Sequence, residues 1–221
     1  TLLAMRRAVF CRGCLARILL LAVVALLPGC ASRSLEDGSV TLQFAGDVLL
    51  DREPARTIRT EGVAAAVRDI ASFTGDADIA FCNLECPVVA VPRKVPKQFA
   101  FAASPQMVEV LKAAHFRIVS LANNHAMDCS RPGLVETMEH LRDAGIMWCG
   151  AGMTRQRAHA PTILLCRGLR IGYLAYSDLL PQGVVGFPEL PNLAYVDDPA
   201  IEEEVRTVRQ GVDILVISFH W

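Results

Sequence analysis

The sequence has almost no excess charge and few aromatic residues. Its 22 lysines and arginines nearly balance its 23 aspartates and glutamates, the formal net charge is −1, and aromatic residues make up 6% of the chain. Proteins that bind nucleic acids use a basic face and aromatic rings that stack on bases. We therefore expect no nucleic-acid partner.

The sequence also lacks an apolar run long enough for a stable transmembrane helix. Its longest run, residues 18–27, would span about 15 Å as a helix, roughly half the hydrocarbon thickness of a bilayer. Arginines precede this run and Pro28-Gly29-Cys30 follows it, which is the order of a signal peptide. We predict a signal peptide over residues 1–30 that resembles a bacterial lipobox, with lipidation at Cys30. The alternative is an ordinary secretory signal with an incidental cysteine, and in either case the protein is exported.

Removal of residues 1–30 leaves about 190 residues, a size that suits one domain. Residues 31–39 are small and polar, so we predict a tether there and a folded domain over residues 40–221. Lipidation would anchor this domain to the membrane at the cell envelope. The chain stops at Trp221 directly after an apolar run, so we expect the domain to be incomplete at its C-terminus. Five cysteines remain in this domain, and their odd number leaves disulfide pairing open.

Short apolar runs alternate with helical patterns in the predicted domain. The runs predicted as strands are 40–45, 79–82, 117–121, 146–149, 163–166, 171–175 and 212–219. The predicted helices are 55–72, 105–114, 133–144 and 199–210, with Asp198 as N-cap of the last. This alternation predicts an α/β fold with a largely parallel central sheet flanked by helices. A hairpin is predicted at Arg167-Gly168, and a long loop over residues 180–194.

Polar residues that can bind a metal follow four of the predicted strands. They are Asp47 after the first strand, Asn83 and Glu85 after the second, Asn123, Asn124 and His125 after the third, and His220 after the last. Carboxyl ends of strands form the ligand crevice of open α/β sheets, so we expect these residues to converge. Carboxylates, amide oxygens and imidazole suit Mn, Fe, Zn or Mg rather than a thiolate site. The sequence predicts a divalent metal site and leaves the metal's identity open.

The same residues could also have purely structural roles. Asp47 could cap a turn, and asparagines suit turns because they tolerate left-handed backbone geometry. His220 could be a core histidine bonded to the backbone. The basic residues Arg93, Lys94 and Lys97 could meet an anionic substrate, but a solvated loop is the favoured interpretation.

Several longer segments resemble the CapA family of poly-γ-glutamate capsule synthesis proteins, whose domain is similar to calcineurin-like metallophosphoesterases. The resemblance rests on FAGDVLLDR (44–52), DIAFCNLECPVV (78–89), the segment 118–152, IGYLAYS (171–177) and DILVISFHW (213–221). It covers nearly all of the predicted domain. The resemblance implies a layered metallophosphoesterase-like fold.

The resemblance also implies a role for each residue of the predicted site. The implied metal ligands are Asp47, Glu85, Asn124 and His220, and His125 would act beside the metal as an acid or hydrogen-bond donor. Asn83, Asn123 and Asp128 are expected to support these groups. The family continues past His-Trp with further histidine ligands, so we expect the site in this chain to be incomplete.

Two functions from different classes follow. The first is a metal-dependent hydrolase of the phosphoesterase type in capsule synthesis, in which a metal activates water and polarises a phosphoryl or carbonyl group. His125 would then stabilise the leaving oxygen. The second is a non-catalytic envelope protein that holds or helps to export an anionic capsule polymer. The expected partners are accordingly a phosphoester or an anionic polymer, within a capsule synthesis or export complex.

Overall fold

The computed structural model describes residues 6–10, 39–180, 191–196 and 199–221. The strands are β1 Arg6–Phe10, β2 Val40–Val48, β3 Ile79–Leu84, β4 Phe116–Ser120, β5 Met147–Cys149, β6 Ala151–Gly152, β7 Thr162–Cys166, β8 Leu169–Ser177, β9 Asn192–Leu193 and β10 Ile214–His220. The helices are α1 Arg52–Glu61, α2 Val63–Thr74, α3 Val108–Ala113, α4 Ser130–Asp143, α5 Arg155–His159 and α6 Ile201–Gln210. Every predicted strand is present, and the α/β class is confirmed.

Some predictions fall outside the described residues. They are lipidation of Cys30, the tether up to residue 38, the N-cap Asp198, and residues 181–190 of the predicted loop. β1 lies within residues 1–30, for which a signal peptide stays a prediction. No helix in the described part of the chain is both long enough and apolar enough to cross a membrane.

The first sheet has the strand order β1-β2-β3-β4-β5. Strands β2 to β5 run parallel, and β1 pairs antiparallel with β2. Helices α1 to α4 lie between these parallel strands in the sequence, and their apolar side chains pack against one face of the sheet. β3 is buried along its whole length, as expected for a parallel strand covered on both faces. The predicted parallel sheet flanked by helices is confirmed.

A second sheet with the order β10-β8-β7 packs against the other face of the first. β10 runs parallel to β8, whereas β7 and β8 form the predicted hairpin. Phe81 of the first sheet stacks on Tyr173 of the second, with ring centroids 5.8 Å apart. Helix α6 covers the outer face of the second sheet, so the layers run helix, sheet, sheet, helix. Sequence patterns did not separate the two sheets, because their strands are similarly apolar.

Two predicted helices differ from the observed ones. The helix predicted over residues 55–72 is divided into α1 and α2 at Gly62, whose φ of 85° is incompatible with a continuous helix and suits glycine. The helix predicted over residues 105–114 opens with the 3-10 turn Pro105–Met107 before α3 begins. The short elements β6, β9 and α5 were not predicted, because two to five residues carry no recognisable periodicity.

The five cysteines of the domain are buried thiols outside any disulfide, which settles the open pairing. Burial raises the pKa of the Cys86 thiol to about 12 and raises those of Cys82 and Cys149 as well. Since the thiolate is the reactive form, these residues act as small core side chains.

Candidate metal centre

The predicted ligands come from the ends of strands in both sheets. Asp47 lies near the end of β2, just beyond a shift in the β2–β3 register, and a bulge of this kind turns a side chain to a new direction. Glu85 follows β3, Asn124 lies four residues after β4, and His220 is the last residue of β10. The structure therefore brings together four segments that are distant in the sequence.

The donor atoms of these residues lie close to one another. One atom from each of Asp47, Glu85 and His220 lies within 4.8 Å of the others. His220 Nε2 lies 3.0 Å from Asn124 Oδ1 and 3.3 Å from Glu85 Oε1, and His220 Nδ1 lies 3.7 Å from Asp47 Oδ1. Around an ion with bonds of about 2.0–2.2 Å, neighbouring donor atoms are about 3.0–3.5 Å apart. Asn124 Oδ1 and Glu85 Oε1 have this spacing from His220 Nε2, whereas the Asp47 distance is to the other ring nitrogen. The residues present therefore fit a divalent metal, and their mixed oxygen and imidazole chemistry suits Mn, Fe, Zn or Mg.

The buried side chains of Asn83 and Asn123 link the segments that carry the predicted ligands. Asn83 Nδ2 donates to Asp47 Oδ1 at 2.7 Å and lies 3.2 Å from His220 Nδ1. Asn123 Nδ2 donates to Asn83 Oδ1 and to the Leu84 carbonyl, both at 2.9 Å, and Asn123 Oδ1 accepts from the His125 amide at 3.0 Å. Each of these two side-chain amides therefore donates from its nitrogen and accepts at its oxygen, as a buried amide group requires. The positions expected for Asn83 and Asn123 beside the ligands are therefore observed.

His125 lies next to the predicted ligands and contacts Asp128. Its Nδ1 is 2.8 Å from Asp128 Oδ2, which also accepts from the Phe101 amide at 2.7 Å. The Phe101 ring packs against the His125 ring with centroids 4.5 Å apart. With Nδ1 occupied, Nε2 is the ring nitrogen left for a substrate. The expected contact between His125 and Asp128 is present.

The interpretation of Arg93, Lys94 and Lys97 as a solvated loop is wrong for Lys97. Its side chain is 7% exposed and forms an ion pair with Asp128, because the chain folds back over the segment after β4 at this point. Lys94 is partly exposed and pairs with Asp51 at 3.0 Å. Only Arg93 and Lys94 therefore match the predicted exposure.

Sequence reasoning missed three residues near the site. Lys97 was grouped with its basic neighbours, since a lysine after Pro96 gives no signal of burial. The Arg52 guanidinium lies 5.5 Å from the Phe99 ring and 4.6 Å from the Phe101 ring, although only its place in the FAGDVLLDR segment hinted at a role. Phe101 lies between the segments that the sequence patterns singled out. All three lie on segments whose proximity depends on tertiary structure.

A cavity of about 290 Å³ opens beside Asn124 and His125. Lys97, Phe99 and Leu179 contribute to its walls, and the last two side chains are substantially exposed. The cavity therefore combines a polar floor next to the predicted ligands with an apolar rim. Such a space can admit a small group of a larger substrate.

Burial shifts two ligand pKa values toward the neutral forms. Desolvation raises the pKa of Glu85, and the nearby Asp47 carboxylate raises it further. Desolvation lowers the pKa of His220, although Asp47 acts in the opposite direction. A neutral imidazole is the form that binds a metal, so the His220 shift favours ligation at neutral pH.

The sequence was compared with those of known proteins and matches a protein family. Residues 41–221 match the family described as "Bacterial capsule synthesis protein PGA_cap". The chain is 22% identical over 194 residues to the capsule biosynthesis protein CapA of Bacillus anthracis, covering 84% of this chain and 47% of that protein. It is also 22% identical over 192 residues to the PGA biosynthesis protein CapA of Bacillus subtilis, covering 86% of this chain and 50% of that protein.

A third relative comes from Mycobacterium tuberculosis and is named "Probable polyglutamine synthesis accessory protein". It is 28% identical over 156 residues, which cover 65% of this chain and 41% of that protein. The chain thus spans about half the length of these relatives or less. The family match covers the second sheet, the parallel strands of the first sheet from residue 41 onward and every residue of the candidate metal centre, and the chain belongs to the bacterial capsule synthesis protein family PGA_cap.

Proposed function

We propose that the protein is a metal-dependent phosphoesterase-like hydrolase that works in the synthesis of a poly-γ-glutamate type of capsule. One observation carries the proposal: two carboxylates, an amide oxygen and an imidazole from four separate segments meet at one place. A purely structural site has no need to gather two acidic groups, which repel each other when no cation is bound. The names of the two Bacillus relatives support the polymer context.

Each residue has a defined task in this proposal. Asp47, Glu85, Asn124 and His220 would hold the metal, which supplies Lewis-acid polarisation of a phosphoryl oxygen and activation of water. Asn83 and Asn123 keep the ligand-bearing segments aligned through the hydrogen bonds described above. As an imidazolium whose Nδ1–H is bonded to the Asp128 carboxylate, His125 would donate a hydrogen bond or a proton from Nε2 to the leaving oxygen.

The non-catalytic alternative is less well supported by the geometry. Binding of an anionic polymer would use the basic loop, but Lys97 is buried in an ion pair and Lys94 is paired with Asp51. Arg93 adds a single further cation to this loop. A polyanion held by several simultaneous contacts needs more exposed positive charge than this loop offers.

We also propose a location for this activity. Export by the signal peptide and lipidation at Cys30 would place the domain at the cell envelope, beside the membrane and the machinery that makes or exports the polymer. A change of Cys30 to serine in the producing bacterium should then release the protein from the membrane fraction.

The first test measures metal content of the full-length protein by plasma mass spectrometry. Near-stoichiometric metal is expected in the wild type and in Asp69→Ala, which removes an exposed carboxylate of α2, and little metal is expected in Asp47→Ala. Metal-free wild-type protein would contradict the proposal. So would equal metal in the two variants.

The second test measures turnover of aryl phosphomonoesters and diesters by the metal-loaded protein. His125→Ala should lower kcat by about 10²–10⁴-fold while keeping its metal, since general acid catalysis contributes about that much. His140→Ala on α4 serves as the matched control and should leave kcat unchanged. Unchanged turnover in His125→Ala would remove His125 from the mechanism. Absence of turnover in the wild type, together with loss of polymer retention in Lys94→Glu, would favour the binding alternative.

A further inference from the structure

The Lys97 ammonium is a buried charge with two acceptor groups beside it. Its side chain is 7% exposed, and its ion-pair partner Asp128 is 1% exposed. Lys97 Nζ also donates to the Asn124 carbonyl at 3.0 Å and lies 3.4 Å from His125 Nδ1. A lysine loses its hydration on burial, so such a position is tolerated only where protein groups replace the lost water.

The partners of Lys97 all belong to the segment that carries the site. Asn124 is a predicted ligand and His125 is the predicted acid, and Asp128 follows three residues later. The segment around Lys97 is itself fastened to Asp128, because the Val95 amide donates to the Asp128 carbonyl at 2.8 Å. The Phe101 amide donates to Asp128 Oδ2 at 2.7 Å. The ammonium group is therefore held at a fixed place beneath the site.

The two carboxylate oxygens of Asp128 contact different groups. Oδ2 contacts His125 Nδ1 and accepts from the Phe101 amide, whereas Oδ1 contacts the Lys97 ammonium. Removal of the ammonium would leave Oδ1 buried without its counter-charge, and the carboxylate would rotate toward another hydrogen-bond donor. Such a turn would move His125, and loss of the bond to the Asn124 carbonyl would free the neighbouring ligand.

We propose that Lys97 is a positioning residue that fixes the His125 ring through Asp128 and the Asn124 ligand through its backbone carbonyl. Its role in catalysis rests on the function proposed above, whereas its structural effect on His125 does not. The residue lines the cavity beside the site and acts through its neighbours.

The test compares four forms of the full-length protein with the wild type. Lys97→Met removes the charge and keeps the length of the side chain, Lys97→Gln keeps a hydrogen-bond donor, and Lys97→Arg keeps the charge. Lys112→Met is the matched control, since Lys112 is an exposed lysine paired with Glu109 at 3.1 Å. Three quantities are measured: the ¹⁵N and ¹H signals of the His125 ring in the metal-free protein, the affinity for Zn²⁺, and kcat and KM for an aryl phosphoester.

The ring signals of His125 should change in Lys97→Met and in Lys97→Gln, return toward those of the wild type in Lys97→Arg, and stay the same in Lys112→Met. The affinity for Zn²⁺ should fall about tenfold in the two neutral variants, as is typical when a group that orients a ligand is lost. Their kcat should fall about 10²-fold with KM changed less than about twofold, because a misplaced acid slows the reaction without weakening binding.

Lys97→Gln replaces Lys97→Met as the deciding variant if the methionine form does not fold. Unchanged His125 signals in a folded neutral variant would overturn the proposal, and so would a raised KM with unchanged kcat, which would make Lys97 a substrate-binding residue. If the wild type shows no turnover, the proposed hydrolase function fails, while the ring signals and the Zn²⁺ affinity still decide the role of Lys97.

Discussion

Burial acts in opposite directions on the pKa values of two candidate ligands, Glu85 and His220. It raises the pKa of the carboxyl group and lowers the pKa of the imidazole, since it disfavours the charged form of each. Asp47 adds to the first shift and opposes the second. A metal ion needs both groups deprotonated, so Glu85 has to lose a proton at a higher pH than usual, while His220 is ready for ligation at a lower pH than usual.

These shifts predict how metal affinity depends on pH. As the pH is lowered from neutral, the affinity of the wild type for Zn²⁺ should begin to fall while the pH is still higher than about 4.3, the usual pKa of a glutamate. Protonation of His220 contributes to this fall, and Glu85, with its raised pKa, adds to it because it takes up a proton that the metal must displace. Titration calorimetry at a series of pH values measures this dependence.

Two variants make the assignment to Glu85 specific. Glu85→Gln should bind Zn²⁺ more weakly at neutral pH and lose this part of the pH dependence, whereas Glu109→Gln, which changes an exposed glutamate of α3, should behave as the wild type. A wild-type affinity that stays constant down to about pH 4.5, or the same pH profile in Glu85→Gln, would contradict the prediction.

At the level of elements, one threonine links helix α4 to the segment after β3. Thr137 Oγ1 accepts from the buried Val88 amide at 2.8 Å and donates to the Gly133 carbonyl at 2.7 Å. This link joins the segment that follows Glu85 to the helix that follows His125. The two polypeptide stretches that carry the candidate site thus share a buried hydrogen bond.

Thr137→Val should lower the free energy of unfolding by about 1–3 kcal/mol. The shape of the side chain is kept, but the Val88 amide is left buried without its acceptor. Leaving a buried donor without its acceptor usually costs about 1–3 kcal/mol. Urea unfolding of the full-length protein measures the change. Thr60→Val, at an exposed position of α1, should stay within about 0.5 kcal/mol of the wild type. Equal stability of the two variants would show that the link contributes nothing.

The elements were more predictable than their arrangement. Strands such as β3 and β8 are apolar and end in polar residues, so their positions follow from the sequence. The break at Gly62 was missed because one glycine inside a helical pattern is compatible with either outcome. The candidate ligands could be picked out because Glu85 and Asn124 follow strands, whereas Asp47 and His220 lie at or near the ends of strands. Lys97 could not, since its burial depends on where the segment 95–101 folds back onto Asp128.

At the scale of the whole molecule, the candidate site depends on how the two sheets fit together. Asp47, Glu85 and Asn124 belong to segments of the first sheet, whereas His220 ends a strand of the second. A change in the separation of the sheets would therefore move His220 away from the other ligands. Phe81 and Tyr173 lie in the apolar layer that sets this separation.

Gly150 lies at a narrow point between the two sheets. A Cβ at this position would lie 2.5 Å from Ala122 Cβ and 3.0 Å from the Ala175 carbonyl oxygen, and the φ of 80° disfavours any side chain. Ala122 precedes the segment that carries Asn124, and Ala175 pairs in register with β10 two residues before His220. A methyl group here would push apart the two halves of the ligand set.

Gly150→Ala should therefore lose stability and metal affinity together. Strain and overpacking should lower the free energy of unfolding by about 2–5 kcal/mol, and the affinity of the folded fraction for Zn²⁺ should fall at least about tenfold. Gly145→Ala separates the two causes, because Gly145 has a φ of 73° but no atom within 4 Å of an added Cβ. That variant should lose about 1–2 kcal/mol from backbone strain alone and keep its Zn²⁺ affinity. If Gly150→Ala binds Zn²⁺ as tightly as Gly145→Ala, the positions of the candidate ligands do not depend on the spacing of the sheets at Gly150.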